Sequence, residues 1–394
     1  GICLVFLLYA VQGVPFGFIE NFLPLTAYGE QGASLETVGM LGTLGLPWMF
    51  KWTWAPFVDA LGSERIGKYK SWIFPSLLAM LVCCAVCALT SSATGIVSVP
   101  LITALFAWAL ATAVEDCAVD GFAMACLNSC KEQGSSRWLL AAVNFAQVVG
   151  FKVGMFYASV PLWHVHAVYG WMALWAFLAI PIVVVLFMAM IIQEPVQAIV
   201  QEYQDASPVA LPLIIKQVLG DVFSALRQPN MQQLAALAAM YKVGEKVLLA
   251  MYKPFLIDQG YTAQAVGEMV GTYGTLASLA GSMLGAGLLA VVPTKAALAS
   301  ALAIRAVMFA MSTPPALLQL PPTLAVALQG GGSGIVTPVM FAFLMEAVAG
   351  SRCIVTRYTL LQCCDDLSRF LGHAAAGTFV SKLGYQATFV AAMI

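Results

Sequence analysis

The chain alternates long apolar stretches with short polar breaks, and the apolar stretches fall into two sets. The first set covers 2–28, 35–60, 71–90, 98–127, 137–161 and 170–193. The second covers 233–258, 262–292, 296–313, 320–349 and 354–380, with a twelfth stretch opening near Gly384. Most reach or exceed the ~20 residues that carry an α-helix across a ~30 Å hydrocarbon core. Between the sets lies a longer, more polar segment, 194–232. The pattern predicts an all-α polytopic membrane protein of two pseudo-symmetric six-helix bundles, 1–193 and 233–394, joined by a linker at 194–232. A transmembrane β-barrel would instead show ~10-residue segments of alternating polarity. The sequence starts at Gly1 and stops within an apolar run at Ile394. The twelfth helix and second bundle are therefore read as incomplete, with any targeting signal beyond these ends out of view.

Composition agrees with the pattern. Of 394 residues, 61% are hydrophobic and 9% are charged, against ~25% charged in a soluble domain. The net charge of −1 says little about partners. The positions of the cations say more. Arg65, Lys68, Lys70, Lys131, Arg137, Lys216, Arg227, Lys295, Arg352 and Arg357 fall in the loops after even-numbered spans, in the central segment and before the eleventh span. The opposite loops hold little beyond Lys253 and Lys382. Cytoplasmic loops are the ones enriched in Lys and Arg, so the N-terminus and central segment are expected in the cytoplasm.

The two sets also echo each other. "GASLETVG" (32–39) and "GYTAQAVG" (260–267) share Gly, a hydroxyl residue and Val-Gly, and are followed by "GTLG" (42–45) and "GTYG" (271–274). "GSSR" (134–137) and "GSR" (350–352) precede the fifth span of each half. Repeats in register suggest a duplicated unit of the kind transporters use to alternate access around a central site.

Charge inside a span points to function, because it is expensive there. "ATAVEDCAVDGFAM" (111–124) holds Glu115, Asp116 and Asp120. Asp116 and Asp120 are four apart and share a helical face, while Glu115 points about 100° away. Two carboxylates on one face can share a proton, as a relay requires, or can pair with cations on neighbouring helices. The cations available are Lys51, Lys152 and Lys242, which either balance these acids or hold an anionic group of a solute. "YKVGEK" places Glu245 at i,i+3 from Lys242, so that helix can supply its own ion pair. Asp365 and Arg369 form an i,i+4 pair read as a structural salt bridge. Gln12, Glu20 and Asn21 are candidate polar groups of a cavity.

The segment "LPWMFKWTWAPFVDALGSERIGKYKSW" is expected to be a helix kinked at Pro47 and Pro56. It ends in Asp59, Gly67, Lys68 and Lys70, a set suited to a cytoplasmic gate closed by ion pairs. Cys84-x-x-Cys87, next to Cys83, is read as small apolar filler, and His164 and His166 as polar loop residues.

Asp59 to Lys70 resembles the loop motif between the second and third helices of the major facilitator superfamily, with Lys68 and Tyr69 where Arg-Arg is usual. "VQGVPFG", "PWMFKWTWAPFVD", "VEDCAVDGFA", "QVVGFKVG" and "YKVGEK" together resemble one branch of it. That branch holds the AmpG muropeptide permease, the acetyl-coenzyme A transporter (solute carrier family 33) and major facilitator domain-containing protein three. Its fourth span reads Gln-Asp-x3-Asp-Ala; Asp116 and Asp120 match, with Glu115 replacing Gln and Gly121 replacing Ala. The resemblance implies an alternating-access carrier, often proton-coupled, for a sizeable polar or anionic organic solute. Expected partners are that solute, protons and the bilayer, with no nucleic acid, and the chain is expected to act as a monomer. No His-based nucleophile, phosphate loop or metal-ligand set stands out, so no cofactor or metal is expected. A membrane-embedded transferase would turn over a donor without vectorial movement. A transport-inactive receptor or scaffold would bind without counterflow.

Overall fold

The chain's fold is given by a computed structural model, which describes residues 2–23, 26–27, 41–63, 65–94, 98–131, 136–158, 160–194, 216, 220, 223–224, 226–262, 265–266, 269–313, 320–351 and 353–393. The first echo segment, 32–39, most of the 194–232 segment, and parts of the 260–267, 134–137 and 350–352 motifs lie outside these residues.

Every long element is a helix, because in hydrocarbon each backbone polar group must be satisfied within the chain. In order they are α1 (Ile2–Gly17), α2 (Leu46–Met49), α3 (Ala55–Ala60), α4 (Lys70–Thr94), α5 (Val99–Lys131), α6 (Ser136–Tyr157) and α7 (Val160–Ile191). There follow α8 (Pro229–Met240), α9 (Val243–Asp258), α10 (Thr275–Val291), α11 (Thr294–Ser312), α12 (Pro322–Val348) and α13 (Ile354–Met393). Among the described residues seven helical stretches are long and apolar enough to cross a membrane.

Three details depart from the sequence expectation. The 35–60 span is not one kinked helix. From residue 42 it is a series of short turns, Gly42–Gly45, Leu46–Met49, Lys51–Thr53 and Ala55–Ala60. Pro47 and Pro56 each sit in the first turn of a short helix, where a missing N–H costs least, and each prevents the preceding turn from continuing. His164 and His166 are helical rather than in a loop. The helix breaks only at Gly170, whose φ is 74°, and His166 packs on Trp171 with ring centroids 4.2 Å apart. "GTLG" and "GTYG" both fall on non-α turns, a 3₁₀ turn and a π turn (Met269–Gly274) that feeds α10. As anticipated, the eleventh and twelfth stretches part at Gly384, with φ 75°.

The chain forms two compact units. The first comprises Gly1–Gly134, Ala146–Val222 and Ala349–Thr359. Within it α4 packs on α5 and α7, and α1 on α5 and α7. Phe18, Trp108 and Trp175 form an aromatic knot with centroid separations of 5.0–6.0 Å. Gly13 of α1 lies against the Phe151 backbone and Gly154 of α6 against the Ala10 carbonyl, where a Cβ would collide. Cys84 and Cys87 are buried free thiols in α4.

The second unit comprises Ser135–Phe145, Phe223–Val348 and Leu360–Ile394. Here α12 packs on α10 and α11. Gly281 faces the Gly331 carbonyl and Gly334 faces the Ser278 carbonyl, so α10 and α12 cross with backbones nearly touching. Small residues at such crossings replace the hydrophobic drive that lipid removes. Leu248, Tyr252, Leu256 and Phe389 anchor a second buried cluster.

Candidate functional site: charges buried in the spanning segments

The first unit holds a charge system centred on α5. Lys51 is only 5% exposed, and its Nζ lies 3.0 Å from Asp116 Oδ2. Lys51 sits in the one-turn segment Lys51–Thr53 created by the proline-broken backbone. The broken segment is tied to α5: the Trp54 indole Nε1 donates to the Ala113 carbonyl at 3.3 Å, and the Lys51 carbonyl accepts the Cys117 thiol at 3.6 Å.

Asp120, one turn further along α5, is fully buried. It accepts the Tyr9 hydroxyl at 2.6 Å and the Gln147 amide at 3.3 Å. Gln147 also donates to the Tyr358 hydroxyl at 3.1 Å. Asp116 and Asp120 thus share a helical face, yet each is held by different partners. Glu115 is completely buried, and Gln12 of α1 faces it. Lys152 is half-buried on α6. Glu20 and Asn21 lie in the π turn Phe18–Phe22, and their side chains lie outside the described residues.

The second unit carries its own charge system. Lys242, 3% exposed, lies 3.1 Å from Asp365, with its ammonium 5.0 Å and 5.6 Å from the Tyr241 and Phe341 ring centroids. Glu245 pairs with Arg305 at 2.9 Å and Lys246 at 3.4 Å, and accepts the Ser333 hydroxyl at 2.7 Å. Arg305 also donates to the Tyr241 carbonyl at 2.9 Å. Lys242 therefore takes Asp365 as its ion-pair partner, 123 positions away, and Glu245 takes Arg305 and Lys246. The Arg369 side chain lies outside the described residues.

The loop motif forms a third cluster, within the first unit. Asp59 accepts the Val355 N–H at 3.3 Å and the Thr356 N–H at 2.7 Å, and also the Thr356 hydroxyl. It thereby caps the first turn of α13, whose N–H groups have no intrahelical acceptor. Gly67 turns the chain at φ 111°, and a Cβ there would strike the Glu194 carboxylate. Glu194 accepts the N–H groups of Tyr69 and Lys70 at 3.1–3.2 Å. The Lys70 ammonium donates to the Ile192 carbonyl. Lys68 lies over the Tyr69 ring, 5.5 Å from its centroid.

A family profile described as Acetyl-coenzyme A transporter 1 matches residues 1–248. The chain belongs to this family. Among its relatives is the anhydromuropeptide permease of Escherichia coli (strain K12), 23% identical over 276 residues, which cover 70% of this chain and 52% of the permease. The chain thus spans about half the length of that relative. The solved Escherichia coli fucose:proton symporter superposes with a TM-score of 0.75 at 13% identity, covering 100% of this chain and 94% of the symporter. A human organic anion transporter superposes at 0.63 and 17% identity, covering 100% and 96%. At such identities these structures establish the fold: this acetyl-coenzyme A transporter family member has the all-α, multi-pass major facilitator fold and is an integral membrane protein.

In this family member, sequence reasoning missed Tyr9, Gln147 and Tyr358, which hold Asp120, and Glu194, which holds the Gly67 turn. Gln147 opens the quoted "QVVGFKVG", and an amide deep in a span was the available signal. Tyr9 and Tyr358 gave none, since tyrosine is common in apolar helices. Glu194 stands where a span meets a polar segment, where an acid looks unremarkable.

Proposed function

We propose that the protein is a secondary active transporter that moves a polar, anionic organic solute by alternating access, coupled to protons. The observation that carries the reading is the burial of charge in an apolar helical protein: Glu115 and Asp120 within the Val99–Leu127 spanning stretch, and Lys51, Lys242 and Glu245 elsewhere in the interior. Buried charge of this kind marks substrate and proton paths in membrane proteins. The names of the relatives supply the solute class: acetyl-coenzyme A and anhydromuropeptide are both large, polar and anionic.

In this reading Lys51 and Lys242 are resting cations, neutralised by Asp116 and Asp365 until an anionic solute competes for them. A buried pair exchanges partners at lower cost than it loses one, because no charge is left alone in a low dielectric. Asp116, Asp120, Glu115 and Glu245 are the acids available for coupling, with Lys152, Gln12, Glu20 and Asn21 as further cavity groups. Asp59, Gly67, Lys68 and Lys70 form the cytoplasmic gate, opened when the α13 cap is released. Two six-helix bundles, 1–193 and 233–394, would alternate about a cytoplasmic linker in a monomer.

Counterflow in proteoliposomes with acetyl-coenzyme A and anhydromuropeptide, at two pH values, tests the reading. Saturable exchange of at least one is expected, and exchange of neither overturns it. Asp116→Asn and Asp120→Asn are expected to fold normally and to lose uptake driven by a pH gradient. Full uptake by both would remove the coupling role of this pair.

A further inference from the structure

Asp116 and Asp120 have partners suited to carboxylates: an ammonium for the first, a phenol and an amide for the second. Glu115 differs. Its side chain is 0% exposed, and among the described residues its carboxyl oxygens have no hydrogen-bond partner other than Gln12 of α1. Gln12 is 1% exposed, and among the described residues its amide nitrogen and oxygen likewise have no partner other than Glu115. Four buried polar atoms thus have one another as their partners across the α1–α5 contact.

Only one protonation state lets all four pair. A neutral carboxylic acid donates its O–H to the Gln12 carbonyl and accepts an N–H of the Gln12 amide, closing a two-bond ring. An ionised carboxylate has no donor, so it leaves the Gln12 oxygen unpaired and itself remains a buried charge. The charged groups acting on Glu115 are Asp116 and Asp120 of its own helix, both acidic, while α1 presents to α5 the neutral Gln12 and Tyr9, the latter held by Asp120. Lys51, the cation of this region, is ion-paired to Asp116.

We infer that Glu115, paired with Gln12, is the residue that carries the coupled proton, with the acid–amide ring as its protonated, occluded state. This deepens the carrier reading and rests on it for the coupling itself. When the α1–α5 contact opens to water, the Glu115 O–H bond breaks. The proton passes to water and the electron pair stays on the carboxylate, now solvated. The contact can close again only after the carboxylate takes a proton back, because among the described residues no cation acts on Glu115 in the closed site. That restriction ties each conformational cycle to one proton.

Infrared difference spectroscopy after a jump from neutral to alkaline pH tests this on the purified full chain in lipid nanodiscs, without solute. The wild type is expected to lose a carboxylic-acid C=O band from a buried site. The band is expected to be missing in Glu115→Gln, and to move to higher frequency in Gln12→Leu, where the acid loses its amide partner. A band unchanged in Glu115→Gln, or no such band in the wild type, overturns the inference. Should Glu115→Gln fail to fold, the Gln12→Leu shift decides alone, and an unshifted band overturns the inference. In proteoliposomes Glu115→Gln is expected to lose accumulation driven by a pH gradient, and retained accumulation also overturns it. Wild-type counterflow with acetyl-coenzyme A or anhydromuropeptide reports on the carrier reading separately. If exchange is absent while the infrared band is present, the carrier reading fails and the protonated Glu115 stands.

Discussion

Lys51 and Asp116 lie 3.0 Å apart with side chains 6% and 14% exposed, so removing one leaves the other as an uncompensated charge. Lys51→Met is therefore expected to destabilise the protein by about 3–5 kcal/mol, and Lys51→Met with Asp116→Leu by much less, because the pair's desolvation is relieved along with its attraction. Thermal unfolding of the purified protein in detergent reads both. A double variant as destabilised as Lys51→Met would overturn the expectation. Glu194, outside the spanning segments, allows a pH prediction. Burial lifts its carboxyl above the ordinary carboxylate range, against the lowering by the Lys70 and Tyr69 amides and by the charges of Lys70 and Lys68. A group raised in the folded state binds its proton more tightly there than in the unfolded chain. Its stabilising contribution is therefore complete below the ordinary Glu range and declines as pH rises through the lifted value. Glu194→Gln is expected to flatten that decline in a stability-versus-pH profile, and an unchanged slope would assign the decline elsewhere. At this scale the sequence exposed individual costly charges but not their partners: Lys51 and Asp116 are 65 positions apart, and no local periodicity links them.

At the scale of elements, the helices were legible from their apolar length, while breaks and crossings were legible only in part. Prolines flagged a disturbance near Lys51, but propensity does not say whether a helix kinks or dissolves into turns. The answer depends on tertiary contacts such as those that tie Trp54 and Lys51 to Ala113 and Cys117 of α5. The helix crossings had a sequence signal that went unread. Gly13/Gly17, Gly150/Gly154, Gly281/Gly285 and Gly330/Gly334 are all pairs spaced by four, a spacing that lines small residues along one face. Gly154→Val and Gly334→Leu are expected to cost about 1–3 kcal/mol or more each, because the obstruction is a backbone carbonyl that cannot rotate away. Gly287→Ala, where a Cβ meets nothing within 4 Å, is the matched control. Melting temperatures of the three variants check this, and a control as damaging as the others would sink the packing argument.

For the whole molecule, the bias of Lys and Arg among the loops yields the orientation proposal: N-terminus and 194–232 segment on the cytoplasmic side. An epitope inserted between residues 205 and 206 is expected to be reached by antibody only after permeabilisation of cells expressing the protein at their surface. Staining of intact cells would reverse the topology. Fold class was fixed by composition and run length, because a bilayer admits few backbone solutions and spanning helices announce themselves by length alone. The sequence by itself also singled out charges that are costly to bury, since each is anomalous in an apolar stretch. Tertiary structure decided which of them neutralise each other and which do not. That outcome depends on helices distant in the chain arriving within 3–4 Å, and it separates the paired Asp116 and Asp365 from Glu115, whose neighbour across the helix contact is the neutral Gln12.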